Sequence, residues 1–182
     1  NIRKGIDSHA TKRFRVSKAD VKGFQYIGIY AMNDASEMYE ALVEDSTIDA
    51  TGGTSSWVET GLYLGVQGTP TVGARLAAHH NVFRNMDVTG ECKSVFIYNA
   101  TGGGEPILSV ELSKNTYDRA SGALARAIVF QPGAVPIKHV SIDGEVISGG
   151  SSPLAFVDLR SIGTAHLTNN TFIVTGGSRP YA

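Results

Sequence analysis

The sequence predicts an all-β fold, a right-handed, single-stranded parallel β-helix of about six coils. The main observation is that a short apolar strand with a Gly- or Asn-rich corner returns about every 26 to 35 residues, which is typical of a stacked repeat. The strands are rich in Val, Ile, Phe and Tyr, and no segment sustains a helical period, although residues 33–42 hint at one helical turn. Parallel strands about 4.8 Å apart close into such a solenoid, and the crossover preference favours the right hand.

Two strands can be assigned to each coil by overlaying the repeats. The first strand lies within Val16–Gly23, Glu44–Asp49, His79–Asn85, Ser113–Asp118, Ile142–Ile147 and Thr168–Ile173. The second strand follows a short corner, at Ile27–Ala31, Gly61–Gly65, Ser94–Tyr98, Ala127–Gln131 and Leu154–Asp158, and Gly5–His9 fits the same position. We expect a single β-helix domain over residues 1–182 that is a fragment of a longer chain, since bare coil ends need a cap or a partner.

An Asn recurs at one corner of the coil, at Asn81, Asn115 and Asn170. Asn tolerates left-handed backbone, and its side chain bonds neighbouring backbone groups. An internal ladder of Asn side chains across the coils is therefore expected. The equivalent corner in the earlier coils holds Ala19 or Ser46, and there we expect the ladder to be missing.

The repeat, the Asn corners and the segments His79–Asn85 and Asn169–Ile173 resemble the right-handed parallel β-helix of pectate-lyase-like enzymes and phage tailspikes. The resemblance covers nearly the whole chain. It implies a protein that cuts or binds acidic or neutral polysaccharides, and the tailspike members of the group are trimers. It brings no catalytic signature with a fixed spacing, so any catalytic residue has to be argued from geometry.

The composition agrees with a virion or extracellular protein. With 42% hydrophobic and 18% charged residues the chain can bury a continuous core, and a formal net charge of −1 gives no general attraction to nucleic acid or to an anionic membrane. No run approaches the ~18 apolar residues of a membrane span. We therefore expect polysaccharide as the partner, with no nucleic acid, no membrane and no cofactor.

Strand alternation sorts the side chains of the first strand into inward and outward columns. The inward column, expected to be core, comprises Val21, Ile48, Phe83, Tyr117, Val146 and Phe172. One outward column comprises Lys22, Asp49, Arg84 and Asp118, and a second comprises Lys18, Asp45, His80, Lys114 and Asp143. These charges are interpreted either as a solvated salt-bridge ladder or as a floor that binds or cleaves a glycan.

A glycosidase is one use of the first charged column. Asp49 and Asp118 are expected two coils apart, about 9 to 10 Å between backbones at the strand spacing. An inverting glycosidase holds its two carboxylates ~6.5 to 9.5 Å apart. Arg84 between them complicates this hypothesis, because a cation lowers the pKa of a carboxyl whereas a general acid needs a raised pKa.

A polysaccharide lyase is the alternative. The candidates for the base at the sugar's α-carbon are Arg84, Lys114 and His80, and Lys114 is also a candidate substrate contact. Asp45 or Asp49 would then help to neutralise the uronate, through Ca²⁺ if a cofactor takes part. No resident metal is expected otherwise.

A second face is aromatic. The outward column of the second strand comprises Asp7, Tyr30, Tyr63, Phe96 and Val129, with His9, Met32, Tyr98 and Gln131 beside it. Contiguous outward rings favour a subunit contact, so Tyr30, Tyr63 and Phe96 are predicted at the interface of a homotrimer, with sugar stacking as the alternative. Trp57 and Glu59, in the Gly-rich segment 52–59, are further candidates for substrate contact.

Two classes of function remain. The first is a carbohydrate-active or carbohydrate-binding β-helix, a phage tailspike or depolymerase fragment that acts on bacterial surface polysaccharide by glycosidic hydrolysis or β-elimination. The second is a non-catalytic β-helical stalk, adhesin or assembly module. The segments 33–42, 52–60 and 67–74 cluster in the early coils and favour the first class. A catalytic site is predicted where they meet the charged columns, around Asp45, Asp49, His80, Arg84 and Asp118, with Trp57 and Glu59 at its rim.

Overall fold

The computed structural model describes residues 3–9, 12–33, 39–51, 60–68, 73–86, 92–101, 106–118, 126–131, 133–149 and 156–173. The described residues form β-strands and turns and contain no α-helix, so none of them belongs to a helix that could span a membrane. The predicted helical turn falls largely on residues 34–38, outside the described residues.

In chain order the strands are β1 (Lys4–His9), β2 (Arg13–Ser17) and β3 (Asp20–Lys22); β4 (Ile27–Asn33), β5 (Glu40–Glu44) and β6 (Thr47–Asp49); β7 (Thr60–Gly68), β8 (Ala74–His79) and β9 (Val82–Arg84); β10 (Lys93–Thr101), β11 (Ile107–Ser113) and β12 (Thr116–Asp118); β13 (Arg126–Phe130), β14 (Ile137–Asp143) and β15 (Val146–Ser148); and β16 (Val157–Asp158), β17 (Ile162–Thr168) and β18 (Thr171–Ile173).

Each coil contributes one strand to each of three parallel sheets of six strands. Sheet A contains β1, β4, β7, β10, β13 and β16; sheet B contains β2, β5, β8, β11, β14 and β17; and sheet C contains β3, β6, β9, β12, β15 and β18. Each strand pairs in parallel with its counterpart one coil away. The predicted parallel β-helix of about six coils is confirmed, while its right hand stays a prediction.

The number of strands in a coil was predicted wrongly, because there are three and not two. The segments assigned to a first strand run through the corner between sheet B and sheet C, and sheet B was missed. Its pattern is nevertheless a strand pattern: in β2 the charged Arg13 and Arg15 are exposed, while Phe14 and Val16 face the core.

The core lies inside the coils and includes the predicted inward column of sheet C. Val21 pairs with Ile48, Ile48 with Phe83 and Phe83 with Tyr117 in successive strands, and the four are buried. The rings of Phe83 and Tyr117 stack with centroids 5.0 Å apart and planes 8° from parallel. Phe172 continues the column in register but is 46% exposed, because β18 is the last strand of its sheet among the described residues.

Val146 was assigned to this column in error. Tyr117 pairs with Ile147, which is buried, whereas Val146 pairs with Thr116 and is 37% exposed. A shift of one residue in a strand moves a side chain to the other face of the sheet. The same shift affects Asp143, which pairs with Ser113 inside sheet B.

The corner between sheets B and C has a left-handed backbone in successive coils. Lys18, Asp45, His80 and Lys114 have φ angles of 54°, 50°, 54° and 54°, so these four members of the second outward column occupy equivalent corners of successive coils. The next member is Gly144, with φ of 67°, and not Asp143. Glycine adopts this backbone without strain, so the left-handed corner is kept in this coil although it carries no side chain.

The Asn ladder lies directly after this corner. The Asn81 backbone N–H donates to Asn115 Oδ1 at 2.9 Å, and Asn81 Nδ2 donates to the same oxygen at 3.0 Å. The expectation that the ladder is missing at Ser46 is wrong. Ser46 N–H donates to Asn81 Oδ1 at 3.1 Å, and Ser46 Oγ accepts from Ala19 N–H at 3.1 Å. A hydroxyl therefore takes the place of an amide at that level.

One position of the ladder is a buried acid, Glu145. Its Oε1 accepts from Asn115 N–H at 3.2 Å and from Asn115 Nδ2 at 3.1 Å, and its own N–H donates to Asn170 Oδ1 at 2.9 Å. Burial raises the pKa of the Glu145 carboxyl to about 7, although the adjacent Tyr117 hydroxyl and the Asn115 amides act in the opposite direction. The Tyr117 hydroxyl stands close to this carboxyl but makes no well-aligned hydrogen bond. A neutral carboxyl costs less to bury than a carboxylate and can still accept these hydrogen bonds.

Candidate functional site

The first predicted charged column has the expected geometry. Lys22 pairs with Asp49, Asp49 with Arg84, and Arg84 with Asp118 in consecutive strands of sheet C. Asp49 and Asp118 therefore lie two coils apart, about 10 Å between backbones at the strand spacing, with Arg84 between them. The side chains of Arg84 and Asp118 are exposed.

The carboxylate of Asp49 accepts hydrogen bonds from residues of the turn that follows it. Its Oδ1 accepts from Thr51 N–H at 2.8 Å and from Asn85 Nδ2 at 2.9 Å. Partial burial raises the pKa of the Asp49 carboxyl, but the hydrogen bonds from Asn85 and Thr51 outweigh this effect and leave the pKa below its ordinary value. A general acid needs a raised pKa, so Asp49 suits the stabilisation of its turn better than proton donation.

The second charged column lies at the other end of the sheet C strands. His80 Nδ1 is 3.7 Å from Asp45 Oδ1, and both side chains are about half exposed. Lys114 occupies the equivalent corner of the next coil. The length of a sheet C strand separates these residues from Asp49 and its column, so the two columns are not brought together into one pocket. The roles predicted for them stay predictions.

The remaining predicted contacts of the early loops, Trp57 and Glu59, lie outside the described residues. In the part of the chain that the structure describes, no group of three or more His, Cys, Asp or Glu side chains is placed to hold a metal ion. The Ca²⁺ hypothesis for a lyase stays an expectation.

The predicted aromatic column is present on the outer face of sheet A. Tyr30 pairs with Tyr63 and Tyr63 with Phe96 in successive strands. Ring centroids are 4.8 Å apart for Tyr30 and Tyr63, and 5.1 Å apart for Tyr63 and Phe96. His9 lies 5.0 Å from Tyr30 and Tyr98 lies 5.6 Å from Tyr63. We call these five side chains, all partly exposed or exposed, the ring column.

Cations surround the ring column. Lys4 Nζ lies 3.7 Å from the centroid of Tyr30, and Lys93 Nζ lies 5.2 Å from that of Phe96. A groove of about 590 Å³, which we call the aromatic groove, opens beside the later rings. Its walls include Tyr26, Tyr63, Lys93, Phe96, Tyr98, Arg126, Val129, Gln131 and Arg160. Arg126 and Arg160 share the carboxylate of Asp158, at 3.3 and 2.6 Å.

A second groove lies on the outer face of sheet B, which sequence reasoning missed. Ala77 is its floor: Arg75 and His79 stand on either side of Ala77 along β8, while Leu42 and Glu111 pair with Ala77 from the neighbouring coils. The small side chain among four longer ones leaves an open groove of about 440 Å³. We call it the alanine groove. The alternation of charged and apolar residues in β2 and β5 was the signal that could have revealed this face.

Ion pairs fill one side of the alanine groove. Arg13 Nε lies 3.4 Å from Glu40 Oε2, and Arg15 Nε donates to Glu44 Oε1 at 3.0 Å. The hydrogen bond from Arg15 lowers the pKa of the Glu44 carboxyl. These two pairs leave no net charge on their side of the groove.

The other side of the groove holds groups of a different kind. His79 Nδ1 lies 2.6 Å from Ser113 Oγ. Burial lowers the pKa of the His79 imidazole, with His80 acting in the same direction and Glu111 and Glu44 opposing it. Among the described residues, neither the Arg75 guanidinium nor the Glu111 carboxylate has an ion-pair or hydrogen-bond partner.

No family model, curated protein or solved structure matches this chain. The parallel β-helix is shown by its own strand pairing. Membership of the pectate-lyase-like or tailspike type, which the sequence resembles, is not shown by that pairing, because one fold hosts many functions.

Proposed function

We propose that this protein binds polysaccharide along the outer face of sheet A, as a tailspike-type β-helix that acts on a bacterial surface glycan. The observation that carries the proposal is the ring column, in which Tyr30, Tyr63 and Phe96 stand on successive coils with centroids 4.8 and 5.1 Å apart. Rings at regular intervals on a rigid wall offer a repeated platform to a linear ligand. The interval is set by strand pairing and needs no loop to maintain it.

The chemistry of the groove supports a sugar. Aromatic faces pack against the apolar face of a sugar ring, and the Tyr63 and Tyr98 hydroxyls can hydrogen-bond to its substituents. Lys93 and Arg126 add charge-assisted donors, which favours a glycan that carries carboxylate groups. A volume of about 590 Å³ lies within the range of about 300 to 1,000 Å³ that is typical of ligand sites.

The alternative is that the ring column packs between the subunits of a homotrimer, in a stalk or assembly module. Val129, which continues the column, is only 5% exposed, and an apolar end of this kind favours a protein contact. The polar wall of the aromatic groove argues for a ligand instead. Lys93, Gln131 and the arginines that flank Asp158 would enter the centre of such an interface, where charged residues are depleted.

Cleavage of the bound glycan, by hydrolysis or β-elimination, is a separate part of the hypothesis. The hydrogen bonds of Asp49 make that residue a poor acid. The remaining candidates are exposed: Asp118, Arg84, His80, Asp45 and Lys114. A reducing-sugar assay against capsular and O-antigen polysaccharides tests for cleavage independently of binding.

Binding is tested by calorimetric titration of the protein with the same polysaccharides. We expect Tyr63→Ala and Phe96→Ala each to weaken binding about tenfold, because each removes one ring of the platform. Thr116→Ala, a change of similar exposure on the outer face of sheet C, is the matched control and should bind as the parent does. Undiminished binding by the Tyr63→Ala/Phe96→Ala double variant would contradict the proposal. A parent that is a trimer and dissociates when Tyr63 and Phe96 are both changed to Asp would support the subunit contact instead.

A further inference from the structure

We propose that the alanine groove on sheet B is a second, separate binding site, which takes a single acidic sugar unit of the hexuronic acid class. The sugar carboxylate binds Arg75, and its hydroxyls bind Glu111 and His79. This inference rests on the proposed function only in taking a saccharide as the ligand. It uses a different sheet and none of the residues of the ring column.

The shape of the groove follows from the strand register. Ala77 lies at the centre of the outer face, and its Cβ is too small to fill the space between its neighbours. Arg75 and His79 are four residues apart on one extended strand, about 13 Å between backbones. Leu42 and Glu111 close the other two sides, one coil before and one coil after Ala77. Leu42 and Ala77 provide an apolar floor, and the other three side chains provide polar walls.

The charges of the groove select the ligand. Arg13 and Arg15 are already paired with Glu40 and Glu44, whereas Arg75 has no such partner among the described residues. A guanidinium presents two parallel N–H donors, which match a carboxylate. Arg75 is therefore the group in this groove that is available to an anion.

The carboxylate of Glu111 further restricts which ligands can bind in the groove. An ionised carboxylate only accepts hydrogen bonds, so it suits the hydroxyl donors of a sugar and repels a ligand with two negative charges. Burial lowers the pKa of His79, which favours the neutral imidazole beside Glu111. A ligand with one carboxylate and several hydroxyls satisfies both Arg75 and Glu111, and a phosphate does not.

Ser113 orients the imidazole of His79 for binding a sugar hydroxyl. The contact of 2.6 Å between Ser113 Oγ and His79 Nδ1 occupies one ring nitrogen from the next coil. The other nitrogen, Nε2, stays available to a sugar hydroxyl, as donor or acceptor according to the tautomer. Two neighbouring strands thereby hold the polar groups, on a sheet whose backbone is rigid.

The test is an NMR titration of the whole chain with glucuronate, glucose and inorganic phosphate, each as a separate probe. Glucuronate should shift the resonances of Ala77 and Leu42 with millimolar affinity, and glucose and phosphate should bind at least tenfold more weakly. Arg75→Gln should weaken glucuronate binding at least tenfold. Lys138→Gln makes the same charge change at an exposed side chain of β14 that does not line the groove, and should change affinity less than twofold.

Two further variants keep the result interpretable. Ala77→Leu fills the floor and should abolish glucuronate binding while the thermal melt stays that of the parent, because the side chain faces outward. Tyr63→Ala/Phe96→Ala should leave glucuronate binding intact, so a failed polysaccharide experiment and a failed groove experiment are distinguishable. Equal losses in Arg75→Gln and Lys138→Gln, equal affinity for glucose, or tighter binding of phosphate would each overturn the proposal.

Discussion

The outer faces of sheets A and C belong to the same coils and share the same spacing, but they are occupied differently. On sheet C and at its corner several charged side chains meet partners close by: Lys22 Nζ lies 2.7 Å from Asp20, Asp49 binds Asn85, and His80 lies 3.7 Å from Asp45. Arg84 and Asp118 stay exposed on a face where no groove has been described. On sheet A the rings leave a groove with cations along its wall. A periodic column of charged side chains is thus not, by itself, a ligand-binding site. It becomes a candidate when it forms a concave surface that its own neighbours do not fill.

The largest expected effect concerns the inner side of sheet C. Phe83→Ala removes a fully buried ring that stacks on Tyr117, and should lower the free energy of unfolding by about 3 to 5 kcal/mol through lost burial and a cavity. The outward neighbour Val82→Ala is the control and should cost well under 1 kcal/mol. Urea unfolding measures both. Similar losses for the two variants would show that the register of sheet C is wrong.

The next comparison is between two kinds of residue in the internal ladder, the Asn residues and the titratable Glu145. The pKa of Glu145 is raised from the ordinary 4.5 to about 7 in the folded chain. The folded chain therefore holds a proton that the unfolded chain has released, so stability should be highest below about pH 4.5 and should fall as the pH rises toward 7. Since each pKa unit is worth about 1.4 kcal/mol, the loss amounts to roughly 3 kcal/mol.

Glu145→Gln should remove this dependence, because an amide does not titrate and its oxygen can still accept the hydrogen bonds from Asn115. We expect the variant to be more stable than the parent at pH 8 and about equal to it near pH 4.5. Asp143→Asn is the control: hydrogen bonds from Thr168 and Asn169 lower the pKa of the exposed Asp143 carboxyl, so its contribution is lost toward acid pH and not toward neutral pH. Denaturation midpoints across pH 4 to 8 that are equally flat for Glu145→Gln and the parent would contradict this account.

Particular residues show which strand positions could be predicted from the sequence. Tyr30, Tyr63 and Phe96 were placed correctly because each is an aromatic residue at the same position of an apolar strand. Val146 was placed one residue out, since Gly144 and Glu145 stand where other coils have a polar residue and Asn. Both Val146 and Ile147 are apolar, so composition could not decide between them.

The groove on sheet B could not be predicted for a different reason. Arg75 and Ala77 lie on β8 and Glu111 lies on β11 of the next coil, on a sheet whose strands mix charged and apolar residues. That Arg75 and Glu111 have no ion-pair partner in the described part of the chain also depends on where Arg13 and Arg15 find theirs. Such pairing is a property of the packed face and is not visible along one strand.

The smallest expected effect tests the charged column of sheet C directly. Asp118→Asn should leave polysaccharide binding within about twofold of the parent and the melting temperature nearly unchanged, because exposed charges contribute little to stability. Asp49→Asn should also retain binding, with a small loss of stability from weakened hydrogen bonds to Thr51 and Asn85. Loss of polysaccharide binding in either variant would contradict the contrast drawn between the two faces, whereas loss of turnover with binding intact would assign cleavage to this column.

The central claim is that sheet A, and not sheet C, carries the ligand. The most direct measurement is an NMR titration with an acidic oligosaccharide released from a polysaccharide that the protein binds, which follows side-chain resonances on both faces at once. The account predicts shifts at the rings of Tyr63, Phe96 and Tyr98, with Val82 and Thr116 on sheet C unchanged. Shifts confined to Val82, Thr116 and their neighbours, with the rings unmoved, would contradict it.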